Sequence, residues 1–324
     1  MKYHRTIFVV VACFLVISAT TADKAKLISY NEMMSKLATL ATVDDLTGRG
    51  RIFITCIGNS VQGRAIPLVV LSEPHVPIDH TRRLFVICRQ HGDEPAPTEA
   101  MLKLIQDLAL SSSDETADLL SKVSFFIIPM MNPDGAERNT RRNSKGIDLN
   151  RDWLDLSQPE TRCVRRAIDA VEPDVILDAH ELSLGNNRSD FIETVGLASG
   201  ARDDVVSACL RLQKLIVDML RIHDIHALSY RIEDRNPARL VHRYFPIRSN
   251  TPSILLETRQ SGIRQYQLEY RKSLHITGVM TAAKFLAGQE DRLRERIAQY
   301  DSNQRLVQLA SRKSKRTLSK NSRK

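Results

Sequence analysis

The sequence of 324 residues has few aromatic side chains, 5% in all, and a single Trp. Proteins that bind single-stranded nucleic acid stack the bases on aromatic rings, and this chain carries no motif of a nucleic-acid-binding fold. Its net charge of +9 is therefore weak evidence for such a partner. The sequence predicts no nucleic-acid partner.

Long apolar runs are also absent, apart from one near the N-terminus at residues 7–17. This run is shorter than the roughly 20 residues that a membrane-spanning helix needs. Lys2 and Arg5 precede it, and small residues follow it at Ser18, Ala19 and Ala22. The pattern predicts a cleaved secretory signal over residues 1–22 and a secreted or periplasmic protein. An uncleaved N-terminal anchor is the alternative.

Cysteine is scarce, with five residues in the chain, of which Cys13 lies in the predicted signal. The spacing of the other four matches no zinc–thiolate motif. An exported protein can hold a disulfide, but four buried free thiols fit the sequence equally well, and no pairing is favoured. These four residues are Cys56, Cys88, Cys163 and Cys209.

The basic excess is concentrated at the C-terminus, where the segment from Arg312 to Lys324 holds seven basic residues and no acidic one. The body of the protein is therefore near neutrality. We expect this tail to be disordered. It could simply aid solubility, or it could make weak contact with anionic polymers or lipids of a cell envelope.

Predicted strands alternate with predicted helices along the chain, which indicates an α/β fold. The expected architecture is a mixed, mostly parallel twisted sheet with helices on both faces. We predict one catalytic domain over residues 23–290, followed at 291–324 by a helix and the basic tail. The predicted strands are 51–57, 66–71, 84–88, 123–129, 175–177 and 254–256. The predicted helices are 30–40, 97–110, 160–171, 203–223 and 268–286.

Polar residues follow the predicted strands at the points where functional sites form in such sheets. His91 and Glu94 follow one strand, His180 follows another, and Glu257 ends a third. Two imidazoles and one carboxylate suit a catalytic zinc ion with its fourth position open to water. A surface turn at His91 and Glu94 would be the simpler explanation of that spacing alone. The addition of His180 favours the metal.

One long loop, residues 132–153, places Asn150 and several arginines beside the predicted metal site. Arginine binds a carboxylate through two parallel hydrogen bonds. The loop therefore indicates a substrate with a free carboxylate, although a solvated basic loop is a common alternative. The arginines are Arg138, Arg141, Arg142 and Arg151.

The motifs together resemble the zinc carboxypeptidase family typified by carboxypeptidase A. The H-x-x-E pair, NPDG at 132–135, GIDLNRDW at 146–153, a later His and a late Glu occur in that family's order. The hairpin sequence at 57–71 is also similar to the family's. The resemblance covers residues 30–285 and implies a sheet of about eight strands.

This resemblance implies a role for each candidate residue at the metal. His91, Glu94 and His180 would bind one Zn²⁺ per chain. Asp148 would orient His91 by a hydrogen bond, as carboxylates commonly do for metal-bound imidazoles. Glu257 would be the general base.

The resemblance also implies the substrate contacts. Asn150 and Arg151 would bind the terminal carboxylate, and Arg141 would polarise the scissile carbonyl, with Arg138 or Arg142 as alternatives. Tyr244 is a candidate for a residue that closes over the substrate, as is Tyr230. Glu181, next to His180, is interpreted as structural because its side chain should point away from His180.

Three functions remain open from the sequence. The first is an exported, monomeric zinc carboxypeptidase acting on peptides or cell-wall peptides with a free C-terminal carboxylate. The second is a zinc-dependent deacylase of N-acyl amino acids, similar to aspartoacylase and succinylglutamate desuccinylase, and the third is an inactive envelope-binding relative. The NPDG and ETRQ segments favour the first function, while side-chain specificity cannot be read.

Overall fold

A computed structural model of the chain describes residues 27–183, 185–233, 239–260 and 267–321, with only the backbone from 306 onward. Within these residues, eight strands form one sheet in the order β1-β2-β4-β3-β5-β8-β6-β7. The strands are β1 Ile52–Asn59, β2 Ala65–Leu71, β3 Arg82–Cys88, β4 Val123–Ile128, β5 Val175–Leu182, β6 Phe191–Val195, β7 Leu228–Ile232 and β8 Ser253–Arg259.

Nine helices accompany the sheet in the described part of the chain. They are α1 Tyr30–Leu46, α2 Ala96–Ala109, α3 Asp114–Lys122, α4 Pro133–Glu137, α5 Pro159–Val171, α6 Asp203–Ile222, α7 Val241–Arg248, α8 Leu268–Leu286 and α9 Glu290–Asn321. A short 3-10 helix at Leu149–Arg151 lies in the long loop after α4.

The centre of the sheet is parallel, because β4, β3, β5 and β8 pair in that sense. The outer pairings β1–β2, β2–β4 and β8–β6 are antiparallel. The mixed sheet of about eight strands is thus confirmed. Its parallel centre aligns the carboxyl ends of β3, β5 and β8 at one edge, where polar side chains can meet.

Alternate residues of the central strands pack on opposite faces of the sheet, as strand geometry requires. Val86 belongs to a core that includes residues of α1, α2, α6 and α8, whereas Ile87 belongs to a second core that includes residues of α5 and α7. Helices therefore cover both faces, as predicted. Burial on both faces explains why the strand at 84–88 is an unbroken apolar run.

Two strands extend further than the sequence indicated. β5 runs from Val175 to Leu182, so His180 lies inside the strand instead of after it, and β8 likewise includes Glu257. The apolar sequence pattern ends before each strand does, because the last residues of these strands are polar side chains that belong to the site. Five elements were not predicted, namely α3, α4, β6, β7 and α7.

At the C-terminus, α9 continues as helix to Asn321, into the basic segment for which disorder was expected. Arg, Lys, Gln and Leu are good helix formers, so the basic segment can remain helical despite its charge. Near its start, Leu293 and Ile297 pack against residues of α6. No helix in the described ranges is long and apolar enough to cross a membrane. The predicted signal, 1–22, lies outside them.

All four cysteines beyond the predicted signal are free in this structure, as in the second of the two alternatives, but not all of them are buried as that alternative expected. Cys56 is exposed on β1, and the other three are buried.

Candidate metal centre and substrate cavity

Three side chains converge where β3 and β5 end. His91 and Glu94 lie in the turn between β3 and α2, and His180 comes from β5. Their ligand atoms all lie within 4.8 Å of one another. His91 Nδ1 is 2.6 Å from Glu94 Oε1, and His180 Nδ1 is 2.7 Å from Glu94 Oε2. Two imidazole nitrogens and a carboxylate therefore face one point.

Tight backbone packing sets the turn that carries His91. A Cβ atom on Gly92 would lie 2.0 Å from the backbone carbon of Gly135, so only glycine fits there. Arg89, at the start of the turn, has a φ of 54° and donates from Nε to the Gly92 carbonyl. The NPDG segment also requires glycine, because a Cβ atom on Gly135 would lie 2.5 Å from Asn132 Nδ2 and 2.8 Å from the Arg142 carbonyl oxygen.

The NPDG turn is fixed by hydrogen bonds of its own. The Asn132 side chain accepts from the Gly135 N–H at 2.9 Å and donates to the carbonyl of Gln90 at 3.1 Å. The Asp134 carboxylate accepts from Ser60 at 2.7 Å and from Arg64 at 2.7 Å. The β1–β2 turn and the metal-side loop are thereby joined.

A carboxylate faces the outer nitrogen of each histidine. His91 Nε2 is 3.0 Å from Asp148 Oδ1, and His180 Nε2 is 2.9 Å from Asp178 Oδ1. Such contacts hold the proton on Nε2 and leave Nδ1 free to bind a metal. The sequence indicated Asp148 but missed Asp178. The signal for Asp178 was its position two residues before His180, on the same face of β5.

The electrostatics of the cluster favour a cation. Burial alone would raise the pKa of Glu94, but His91 and His180 outweigh it and lower that pKa to about 2. Burial alone would lower the pKa of His180, but Asp178 and Glu94 hold it well above its usual range. The carboxylates thus surround the two imidazoles with negative charge. This donor set fits Zn²⁺.

A cavity of about 300 Å³ opens beside the three ligands. Six of the ten residues predicted for the site line its wall: His91, Arg141, Asn150, Arg151, His180 and Glu257. The structure therefore brings the predicted metal residues, the predicted base and three predicted substrate residues to one space.

Glu257 stands directly beside His180, because the parallel register of β5 and β8 pairs these two residues. Residues paired in this way point to the same face of the sheet, so the Glu257 carboxyl shares the cavity with the imidazole. Burial and the nearby Glu94 carboxylate raise the pKa of Glu257 to about 8.

Two polar residues beside the ligands are held in place. Arg141 forms an ion pair with Asp148 at 3.0 Å, and its Nη1 lies 3.4 Å from Glu94 Oε1. Asn150 is buried, its Nδ2 is 3.1 Å from His180 Nε2, and its Oδ1 has no hydrogen-bond partner in the described ranges. Arg151, next in the chain, is exposed at the cavity wall.

Three predicted alternatives for substrate contact are wrong. Arg138 is exposed at the end of α4 and does not line the cavity. Arg142 is also exposed and donates to the Gly146 carbonyl at 2.8 Å. Tyr230 stacks edge-on against Phe191 on the neighbouring strand instead of lining the cavity.

Tyr244 is also not at the cavity, which corrects its assignment as a closing residue. Its hydroxyl accepts a hydrogen bond from Arg165 of α5, and its ring packs against Phe245. The cause is the helix α7, where successive side chains are turned by about 100°. His242 and Arg243 consequently line the cavity, while Tyr244 faces α5.

Sequence reasoning missed two further polar residues here. His242 is buried, and its Nε2 lies 2.8 Å from Glu193 Oε1, which belongs to β6. Gln90 donates to Asp178 at 2.6 Å and accepts from the Trp153 indole N–H at 2.9 Å. For Gln90 the signal was its place directly before His91, whereas His242 carried none because α7 was not predicted.

Comparison with known proteins identifies related sequences. The family model described as zinc carboxypeptidase matches residues 41–180. "Carboxypeptidase 2" of Trichophyton tonsurans is 31% identical over 153 residues, which is 46% of this chain and 26% of that protein. "Carboxypeptidase E" of Caenorhabditis elegans is 36% identical over 118 residues, 31% of this chain and 25% of that protein. The chain thus spans about a quarter of the length of these relatives.

Solved structures share the fold over more of the chain. A metallo-carboxypeptidase from Burkholderia cenocepacia matches with a TM-score of 0.65 and 21% identity, covering 79% of this chain and 68% of that one. Carboxypeptidase A from Helicoverpa armigera matches with a TM-score of 0.61 and 18% identity, covering 84% and 74%. The family-model match over residues 41–180 and the curated relatives show that this part of the chain is similar in sequence to zinc carboxypeptidases, and the solved structures show that the fold is shared.

Proposed function

We propose that this protein is a zinc-dependent carboxypeptidase that hydrolyses the last peptide bond of substrates with a free C-terminal carboxylate. The observation that carries the proposal is the composition of one cavity. It combines three converging ligand atoms, the Glu257 carboxyl beside them, and Asn150 and Arg151 on the same wall. A metal hydrolase needs a base, and an exopeptidase needs a group that binds the terminal charge.

His91, Glu94 and His180 would hold the zinc ion, with Asp148 and Asp178 fixing the two imidazoles. When bound, zinc supplies Lewis acidity and lowers the pKa of a coordinated water molecule. Because an opposite charge nearby favours the ionised form of a carboxyl group, Glu257 can then act as a carboxylate. It would take the proton of the attacking water and deliver it to the leaving amine.

Arg141 has the position expected for a group that stabilises the developing oxyanion. Its guanidinium lies within 3.2 Å of His91 Nδ1 and is held by Asp148. A fixed cation in a partly closed site stabilises negative charge more than water does, because it does not have to reorganise during the reaction.

Asn150 and Arg151 would bind the terminal carboxylate of the substrate. Asn150 is buried and would donate from its amide nitrogen, and Arg151 lines the same wall and would donate from its guanidinium. This pair sets the direction in which a peptide enters, with its last residue in the cavity and the rest of the chain outside.

The two other functions have less support. An inactive envelope-binding relative would not need the ligands and Glu257 to be kept together in one cavity. A deacylase of N-acyl amino acids would use the same zinc chemistry, so only substrates can distinguish it from a peptidase. Both protein C-termini and cell-wall peptides offer the free carboxylate that the cavity would bind.

We also propose that the protein acts outside the cytoplasm as a monomer. The lysine- and arginine-flanked apolar run at the N-terminus supports export. The basic segment that ends α9 would make a weak contact with anionic envelope polymers.

The experiment is a substrate panel with the zinc-loaded protein. It compares peptides with free and amidated C-termini, a cell-wall peptide, and N-acyl amino acids. The proposal expects cleavage of free peptides and little cleavage of amidated ones. Equal cleavage of both would replace it with an endopeptidase or amidase, and exclusive cleavage of N-acyl amino acids would replace it with the deacylase.

A further inference from the structure

Glu181 is a buried carboxylate that the proposed reaction does not use. It follows His180 in β5, and its side chain has no exposed surface. Its Oε2 accepts from the backbone N–H of Ala96 at 2.6 Å, and its Oε1 pairs with Arg271 of α8. Both oxygens are therefore occupied by protein groups, and neither is available as a base or for substrate.

The backbone of Glu181 contacts the metal site itself. Its N–H donates to Glu94 Oε2 at 3.0 Å, the same oxygen that faces His180 Nδ1 at 2.7 Å. The orientation of the Glu94 carboxylate thus depends on where this part of β5 lies relative to the turn that carries Glu94.

The side chain of Glu181 fixes the position of β5 relative to this turn, because it binds the first residue of α2. This helix begins at Ala96, two residues after Glu94, and its N-cap residue Pro95 provides no side-chain hydrogen bond. The Ala96 N–H would otherwise be a buried donor without a partner. A carboxylate is also the group that a helix N-terminus favours. Glu181 therefore anchors the chain on the far side of Glu94.

Arg271 holds the second oxygen of the Glu181 carboxylate. Its side chain is 13% exposed, and it pairs with Glu181 from α8, which packs on the same face of the sheet as α2. A buried carboxylate with an arginine on one oxygen and a backbone N–H on the other has little freedom to move.

We infer that Glu181 and Arg271 are positioning residues that hold Glu94 in the orientation required to bind zinc. This inference rests on the proposed zinc site but not on the peptidase activity. Removal of the pair should weaken zinc binding and lower kcat, while leaving the KM for a free peptide close to that of the wild type, because Asn150 and Arg151 are untouched.

A matched control exists at the other end of the same helix. Arg51 is also buried, forms an ion pair with Glu73 at 3.1 Å, and donates to the carbonyl of Leu108 near the end of α2. The variant Arg51→Met removes a partly buried ion pair between residues outside α2, together with the hydrogen bond to the end of α2, without changing any group at the metal site.

The test measures the zinc dissociation constant of each folded protein by competition with a chromophoric chelator, together with the Tm of the metal-free form. Glu181→Ala and Arg271→Met should weaken zinc binding about 10- to 100-fold, the range typical of groups that orient metal ligands. Arg271→Lys should recover part of the loss. Arg51→Met should lower Tm and leave zinc affinity within about twofold of the wild type.

Zinc affinity within about twofold in both Glu181→Ala and Arg271→Met, with only a lower Tm as in the control, would overturn the inference. Should Glu181→Ala fail to fold, Glu181→Gln decides the question, since its amide oxygen can still accept from Ala96 but its amide nitrogen cannot pair with Arg271. Normal zinc affinity in Glu181→Gln and Arg271→Met together then overturns it. A wild type that binds zinc but cuts no peptide would reject the proposed function and leave this inference standing.

Discussion

The metal side and the substrate side of the cavity are built differently. On the metal side, His91, Glu94 and His180 are almost fully buried, and each contacts at least two other polar groups. On the substrate side, Arg151 is exposed, and among the described residues its guanidinium donates only to the neighbouring Asn150 carbonyl, at 3.2 Å. A metal requires fixed ligands before it binds, whereas a group that recognises substrate must keep its donors available. The difference predicts which substitutions remove the metal and which affect only substrate.

The largest effect is expected where a ligand is lost. His91→Ala should reduce bound zinc and peptidase activity in parallel, because two remaining ligands bind zinc poorly. Removal of zinc from the wild type by a chelator should have the same effect on activity, and added zinc should restore it. Zinc content is measured by atomic emission beside the rate. An active His91→Ala protein with full zinc would show that another residue is the ligand.

A smaller effect is expected where a ligand loses its orienting partner. Asp148→Ala should weaken zinc binding about 10- to 100-fold, since the carboxylate facing His91 Nε2 is removed. Chelator competition measures the change. The variant also releases Arg141, so the activity at saturating zinc should fall as well. Unchanged zinc affinity would mean that Asp148 positions only Arg141 and does not orient His91.

On the substrate side, Arg151→Ala should raise KM about 10-fold and leave zinc content unchanged, because it removes one charged hydrogen bond near solvent. Amidation of the peptide should affect the wild type similarly and add little in the variant. The comparison is made as a double cycle of enzyme and substrate. If the two changes affected KM independently, Arg151 would not be the group that binds the terminal carboxylate.

The smallest effect is expected for Tyr244→Phe. The hydroxyl of Tyr244 contacts Arg165 and not the cavity, so kcat and KM should both stay within about twofold of the wild type. Arg138→Ala is a second variant for which no change is expected. A loss of activity in Tyr244→Phe alone would indicate that α7 rearranges when substrate binds.

The strength of the local sequence pattern explains how far the fold could be predicted. The central strands and α8 were predicted well because continuous apolar runs and helical periodicity are local signals. The strands β6 and β7, with five residues each, were missed, as was α7. Pro246 lies inside α7, and a proline normally argues against a helix.

At the site, the motif residues His91, Glu94 and His180 could be identified from spacing and resemblance, and the structure brings them together. Asp178 was missed, although its position two residues before His180 was a signal. His242 could not be identified, because it lies on a helix that the local sequence does not show. The wrong expectation for Tyr244 has the same origin. Contacts between distant segments determine which side of a helix faces the cavity, and those contacts leave no local pattern.

The pairing of Glu257 with His180 across β5 and β8 gives the most direct test of the account. The measurement is the turnover of zinc-loaded Glu257→Gln on a free peptide, with zinc content determined on the same sample. The account predicts full zinc and a loss of about 10²- to 10⁴-fold in kcat, the range for general acid–base catalysis. Glu257→Asp should also be impaired, since a shift of about 1 Å can cost on the order of 100-fold. Near-normal turnover in zinc-loaded Glu257→Gln would contradict the account.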